Sequence, residues 1–288
     1  MKRSILTIVV ITAIMYESAA QDVYEQLGEF GITAGVAHYF GDINTRGQIN
    51  RPKPAAGIFF KKQFNNYLGV RVSAHYAQVG YSDIYSKSDF QKRRNLSFNS
   101  DIFELALQGD FNFFRFVPGD LYYSFTPYVT IGAGVFSYNP YAFYEGKKVY
   151  LRALGTEGQN IAYVDPNTGK KRKPYGSMGV CFPIGAGIKY NVSNNINISF
   201  QIAHRLTLTD YLDDVSTTYI GNTPATFPPD ATGKASIASI LQDRSFETGD
   251  IIGVKDRQRG FSKQKDQYII AEVGVSFTIS TYKCPSTN

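Results

Sequence analysis

The residues best suited to chemistry in this chain are a histidine and three carboxylates. His204 is followed by Asp210, Asp213 and Asp214. A histidine beside carboxylates can activate water, so a hydrolase or lipid acyltransferase at a barrel rim is one reading. The same carboxylates offer the oxygen ligands that Ca²⁺ takes, but they lack the regular alternate-position spacing of a calcium loop. The sequence contains no HExxH, no GxSxG and no phosphate-binding loop. His38 and His75 fall inside alternating segments that read as strands. No catalytic residue, cofactor, metal or small-molecule substrate is therefore expected. Cys181 and Cys284 are isolated thiols without CxxC spacing. A bridge between them needs Cα atoms within roughly 7 Å, whereas the topology derived below puts them near opposite membrane faces. Two basic clusters, Lys92-Arg93-Arg94 and Lys170-Lys171-Arg172-Lys173, read as solvated loop charge or as contacts with acidic lipopolysaccharide. No nucleic-acid partner is expected, since nothing else suggests a folded reader with a basic face.

The elements that must carry these residues follow from composition and pattern. Of the 288 residues 15% are aromatic, all Tyr and Phe, and only 19% are charged, yet mean hydropathy is −0.22. Apolar residues alternating with polar or small ones give that mixture in a membrane barrel. Lys2 and Arg3, an apolar stretch from Ile5 to Met15, and Ser18-Ala19-Ala20 form a secretory signal peptide over 1–20. The apolar core is too short to span a bilayer, and no later segment offers 18 consecutive apolar residues. Residues 21–28 are expected as a short periplasmic segment, 29–282 as the folded domain and 283–288 as a periplasmic tail.

Period-2 alternation recurs eight times. It is clearest where Phe103, Leu105, Leu107, Phe111 and Phe113 alternate with Glu104, Ala106, Gln108, Asp110 and Asn112. The other segments run about 29–39, 55–64, 68–76, 125–138, 180–191, 196–207 and 269–279. Their second faces carry Glu29, Arg71, Glu104, Asp110, Lys189, Arg205 and Glu272, charges of both signs that can pair in a narrow lumen and relieve one another's desolvation. Connections alternate strictly. Asn65-Asn66-Tyr67 and Ser193-Asn194-Asn195 are tight, 114–124 is moderate, and about 40–54, 79–97, 139–178 and 210–266 are long. A two-sheet sandwich would bury alternate faces equally well but does not require this rhythm. The pattern predicts an all-β fold, an eight-stranded antiparallel up-and-down transmembrane β-barrel in the outer membrane. Short turns and both termini are then periplasmic, and long loops extracellular.

Within the loops, Asp165-Pro166-Asn167-Thr168-Gly169 predicts a hairpin turn in 146–169, and Ile237, Ile240 and Leu241 predict a short helix in 235–244. The moderate turn is apolar. Phe114, Phe116, Val117, Leu121 and Tyr122 belong to an interfacial aromatic girdle or to a docking surface for a periplasmic partner. An eight-stranded barrel is just wide enough for its own side chains, so any transport role is that of a scaffold or adaptor.

Several longer strings carry a resemblance. They are His38-Tyr39-Phe40-Gly41-Asp42-Ile43-Asn44, Arg51-Pro52-Lys53-Pro54-Ala55-Ala56-Gly57, Phe125-Thr126-Pro127-Tyr128-Val129 leading into Gly132-Ala133-Gly134-Val135-Phe136, and Leu154-Gly155-Thr156-Glu157-Gly158-Gln159. The most specific is Leu208-Thr209-Asp210-Tyr211-Leu212-Asp213-Asp214-Val215-Ser216-Thr217-Thr218-Tyr219, followed by Asp243-Arg244-Ser245 and Arg259-Gly260. In order and over nearly all of the mature chain, these strings resemble the PorG-like family of outer-membrane barrels associated with the type IX (Por) secretion system. The resemblance implies a non-enzymatic scaffold that holds a periplasmic ring, a lipoprotein with its partner subunit, at the outer membrane, and that in some cells also serves gliding. It supplies no catalytic residues. A stand-alone surface barrel for adhesion or envelope integrity is the alternative. For the long signature, the expectation is architectural: Asp210, Asp213 and Asp214, beside Tyr211 and Tyr219, cap the barrel mouth by accepting loop N–H groups and pairing with inward Arg205. The competing expectation is partner recognition.

Overall fold

The computed structural model describes residues 24–282. The expected signal peptide, the C-terminal tail and Cys284 lie outside the described residues. Ten strands follow one another: β1 (Tyr24–Phe40), β2 (Lys53–Gln63), β3 (Leu68–Ser82), β4 (Ser97–Asn112), β5 (Phe125–Ser137), β6 (Tyr141–Tyr144), β7 (Lys147–Tyr150), β8 (Met178–Ser193), β9 (Ile196–Thr207) and β10 (Gln267–Tyr282). Eight of them close an antiparallel ring in the order β1-β2-β3-β4-β5-β8-β9-β10, with β10 paired back onto β1. These are the eight alternating segments of the sequence. β1 begins earlier than alternation suggested, inside the segment 21–28 expected to precede the barrel. Its register with β10 continues across a bulge at Gln26/Gly28 to Tyr24 opposite Tyr282, and a bulge of this kind breaks the apolar period that marks a strand.

Alternation places chemistry on two faces because successive side chains of a strand point oppositely. On β4, Phe103 is 61% exposed and Leu107 57%, while Glu104 and Gln108 between and beside them are 3% and 1% exposed. The same outward apolar residues recur around the ring, from Ile32 on β1 to Val275 and Phe277 on β10. This belt matches the hydrocarbon-facing surface of a transmembrane barrel.

The interior is polar through the middle of the barrel and apolar at the loop end. Lys61 and Arg71 both reach Asp110 (3.1 and 3.3 Å), and Arg71 crosses to Gln201 on β9 (2.7 Å). His75 lies between Glu104 and Glu272 (3.6 and 3.3 Å), Arg205 pairs with Glu104 (3.3 Å), and Lys189 with Glu29 (3.1 Å). Gly57 makes room for this network, since a Cβ there would run into the His75 ring. Towards the loops, Tyr39, Phe98, Ile102, Phe136, Tyr268 and Ile270 pack with Leu151, Leu212, Val215 and Leu241 from the long connections. The main hydrophobic core therefore joins the barrel to its loops.

The loops carry the remaining structure. The helix Ile237–Gln242 forms inside the expected segment, its N-terminus capped by Ser236. The Asp165–Gly169 turn also forms and brings Val164 opposite Lys171. A longer hairpin, β6–β7, precedes it and turns at Glu145-Gly146, where both φ are positive (49° and 75°) as a two-residue turn requires.

Candidate functional site

The four long connections fold into one cap over the barrel mouth, held by three buried arginines. Arg259 donates to the Glu157 carboxylate (3.0 Å), to the Asp214 carbonyl (2.6 Å) and to the Gln242 carbonyl (3.1 Å). Arg94 forks onto Asp83 (both contacts 2.7 Å) and reaches the Arg259 and Asp42 carbonyls. Arg172 joins Asp165 to the carbonyls of Glu157 and Thr218. Glu157, fully buried, is the opposite pole. It accepts the Ser216 and Thr217 N–H groups (2.9 and 3.1 Å) and the Thr217 hydroxyl (2.6 Å). Each of these links spans two connections, so the cap stands or falls as one unit.

The signature run lies inside this cap. Asp213 and Asp266 both approach the Tyr39 hydroxyl (2.5 and 2.9 Å), while their other oxygens accept the Val215 and Leu212 N–H groups (2.9 and 2.8 Å). One hydroxyl hydrogen cannot serve two carboxylates, so a carboxyl proton completes the triad. Burial, followed by mutual repulsion within the acidic cluster, lifts both aspartates well above the usual carboxylate range. Burial also raises Asp210 to about 7, against the Ser216 hydroxyl bond (2.6 Å), and Asp42 to about 6. It raises Asp214 to about 6 as well, despite nearby Arg259 and bonds from Thr156 and Tyr175 (2.5 and 2.6 Å). The Tyr211 ring stacks on Tyr175 at 4.5 Å. Tyr219 is fully buried and pairs through its backbone with Asp256 and Arg257.

Asp210, Asp213, Asp214, Tyr211 and Tyr219 thus come together, but Arg205 does not join them. Its position on β9 points it into the lumen, where Glu104 takes it; Arg259 occupies the expected place beside Asp214. Only backbone N–H groups and hydroxyls serve the remaining aspartates. His204 is also separate. It lies on the opposite face of β9 from Arg205, near Phe40 (6.0 Å between rings), so the water-activating constellation of His204 with the aspartates is not assembled. Among the described residues no group of three or more His, Cys, Asp or Glu side chains is arranged to hold a metal ion. Sequence reasoning missed Arg259, Arg94, Arg172 and the role of Glu157. Arg259-Gly260 and the Glu157 string stood out, but no period in an irregular loop shows which partner a charge will meet.

At the turn end, 114–124 folds back under the barrel. Val117 N–H bonds the Tyr123 carbonyl (3.0 Å), and Gly119 N–H bonds Asn191 (2.9 Å). This tucks Phe116 and Val117 inside, with the Lys189 ammonium 4.3 Å from the Phe116 ring centroid. These two residues are plugs, not members of an exposed docking surface as the sequence suggested, because the turn is long enough to reverse into the lumen. Phe114 points outward beside Phe125. Leu121 and Tyr122 are 92% and 94% exposed.

No curated protein matches the chain. Solved barrels are similar to it at low identity. Neisserial surface protein A is 10% identical, with a TM-score of 0.42 over 88% of this chain and 97% of that one. Ail, the attachment invasion locus protein of Yersinia pestis, in complex with the heparin analogue sucrose octasulfate, is 10% identical, with a TM-score of 0.39 over 88% and 99%. The N-terminal β-barrel domain of Pseudomonas aeruginosa OprF is 11% identical, with a TM-score of 0.37 over 89% and 100%. Likeness at this level carries no role across. The family model described as "Domain of unknown function (DUF6089)" matches residues 3–153. That stretch includes β1 to β7 and the Tyr39, Asp42 and Arg94 members of the cap, and the chain belongs to the DUF6089 family.

Proposed function

We propose that this chain is a non-enzymatic outer-membrane barrel that acts as a scaffold or adaptor of the type IX secretion machinery. Its short turns and termini face the periplasm, where a ring lipoprotein and its partner subunit bind, and its cap faces outward. The observation that carries the scaffold reading is the filled interior. Ion pairs cross the lumen from β3 to β9, from β4 to β9 and from β1 to β8, the cap covers one mouth, and Phe116 and Val117 fill the other. A barrel that passes nothing works through its surfaces. Leu121 and Tyr122 give the turn end an apolar tip, and exposed apolar patches tend to mark contacts. The type IX assignment is supported by the ordered strings quoted above.

The test is a detergent pull-down of the tagged full-length protein. A periplasmic lipoprotein and its partner should co-purify, Leu121→Asp with Tyr122→Asp should lose them, and deletion should stop export of the machine's cargo. A membrane-inserted barrel that captures neither subunit, with export intact on deletion, would instead be a stand-alone surface barrel.

A further inference from the structure

The outer wall of the barrel carries a cationic groove directly above the apolar belt. β2 starts at Lys53 and its register with β3 reaches only Ala55 opposite Ala77, whereas β3 and β4 continue together to Ser82 opposite Ser97. The uncovered stretch of β3 forms part of a groove of about 330 Å³ whose wall includes Arg51, Lys53, Gly80, Ser82, Ser97 and Asn99. Gly80 faces outward, and a Cβ there would sit 2.7 Å from Asn99 Oδ1, so its absence leaves that acceptor open. Lys53 Nζ reaches over to Asn99 Oδ1 (2.7 Å), and the Arg51 guanidinium lies 3.9 Å from the Tyr85 ring centroid. Arg244 donates to the Ser97 hydroxyl at 3.2 Å while bound to Glu247.

Its height on the wall identifies the occupant. Down the same face, Leu105 and Phe103 belong to the exposed apolar belt. Next comes Tyr76, packed on Phe103 (5.1 Å) and bonded to Asp101 (3.1 Å), and then the groove. Beside it, Lys148 sits 3.6 Å from the Tyr141 ring centroid and 3.4 Å from Asp101. Aromatic rings with cations just beyond them mark the level of lipid headgroups. Arg51 and Lys53 have no carboxylate partner, while Asp101 and Glu247 are already engaged by Lys148 and Arg244.

We infer that this groove seats the phosphate of a membrane-lipid headgroup, held by Arg51 and Lys53 with the Ser82 and Ser97 hydroxyls alongside. Guanidinium and ammonium groups at a polar concavity are the chemistry that recognises a phosphate monoester. The inference rests on the membrane-spanning reading, and its test separates the two. The full-length protein is reconstituted into phosphatidylcholine vesicles, with and without a minor fraction of phosphatidic acid. Co-purifying lipid is then measured by native mass spectrometry. Wild type should retain phosphatidic acid in preference to phosphatidylcholine. Arg51→Gln with Lys53→Gln should lower that retention about tenfold, the effect of losing one charge-assisted contact of ordinary strength. Lys170→Gln with Lys171→Gln and Lys173→Gln, on the loop tip, should leave it unchanged. Unshifted heat-modifiability on gels checks that the variants fold, and Arg51→Gln alone, which removes no hydrogen bond, gives the same readout if the pair does not. Equal retention in groove and tip variants overturns the site, as does complete displacement by inorganic phosphate. Flotation with both vesicles but no lipid preference overturns the site alone; failure to float with either overturns the membrane reading first.

Discussion

Lumen and cap both bury charge, but they balance it differently. In the lumen, Glu29, Glu104, Asp110 and Glu272 meet Lys61, Arg71, Lys189 and Arg205, with His75 between two of the acids. In the four long connections (41–52, 83–96, 138–177 and 208–266), nine buried carboxylates face three buried guanidiniums, while seventeen of the cations and only six of the acids remain unburied. Acids have gone inside and bases outside. The lumen is thus held by ion pairs, and the cap by arginine hubs, backbone N–H donors and protons kept on carboxyl groups. A barrel wall fixes where each lumenal charge stands, so pairs can be built residue against residue. Loops must instead satisfy their own turning backbone, and carboxylates that accept N–H groups do that work.

The largest effect should come from removing a cap hub. Arg259→Met leaves Glu157 and the Asp214 carbonyl buried without their cation, and breaking a buried pair in this way costs about 3–5 kcal/mol. Arg71→Met should cost less, about 1–3 kcal/mol, because Lys61 still holds Asp110. Thermal unfolding of the two variants side by side checks the order; an equal or larger loss from Arg71→Met would erase the distinction.

Next comes pH. Because burial raises Asp42, Asp210 and Asp214 to about 6–7, the folded cap binds more protons than the unfolded chain from about pH 4 upward. Its stability therefore falls as pH rises through that window, and the loss from these three groups is complete above about pH 7. Limited proteolysis in the long loops should run faster at pH 8 than at pH 5, about tenfold for each unit of net shift. Asp213→Asn removes one acid from the Tyr39 triad and should flatten this dependence. A cleavage rate that is constant with pH, or that falls as pH rises, would show that the acid excess is not carried by protons.

The smallest effect should be at the turn end. Leu121→Asp with Tyr122→Asp touches side chains that are almost wholly solvated, so unfolding should move by no more than about 0.5 kcal/mol. A large loss of stability would mean that the tip is structural and not free for contacts.

The barrel was readable because a wall that is apolar outside and polar inside repeats every two residues. Even Lys61, left out of the expected lumenal set, follows from Phe60 facing outward. The cap was readable only in part. The signature aspartates stood out as a cluster, but their partner is Arg259, 45 positions beyond Asp214, and not Arg205, which is near in sequence yet pointed into the lumen by its strand. Nearness along the chain misleads where a strand ends and a loop turns over the rim. Phe116 and Leu121 show the same limit. Both are apolar residues of one turn, and only its reversal under the barrel decides which is plug and which is tip.

The sealed interior is tested most directly by electrical recording from the purified, folded monomer in a planar bilayer. Crossed ion pairs, a covering cap and a turn-end plug predict a membrane current no higher than that of the protein-free bilayer. A large, stable conductance at neutral pH would contradict them.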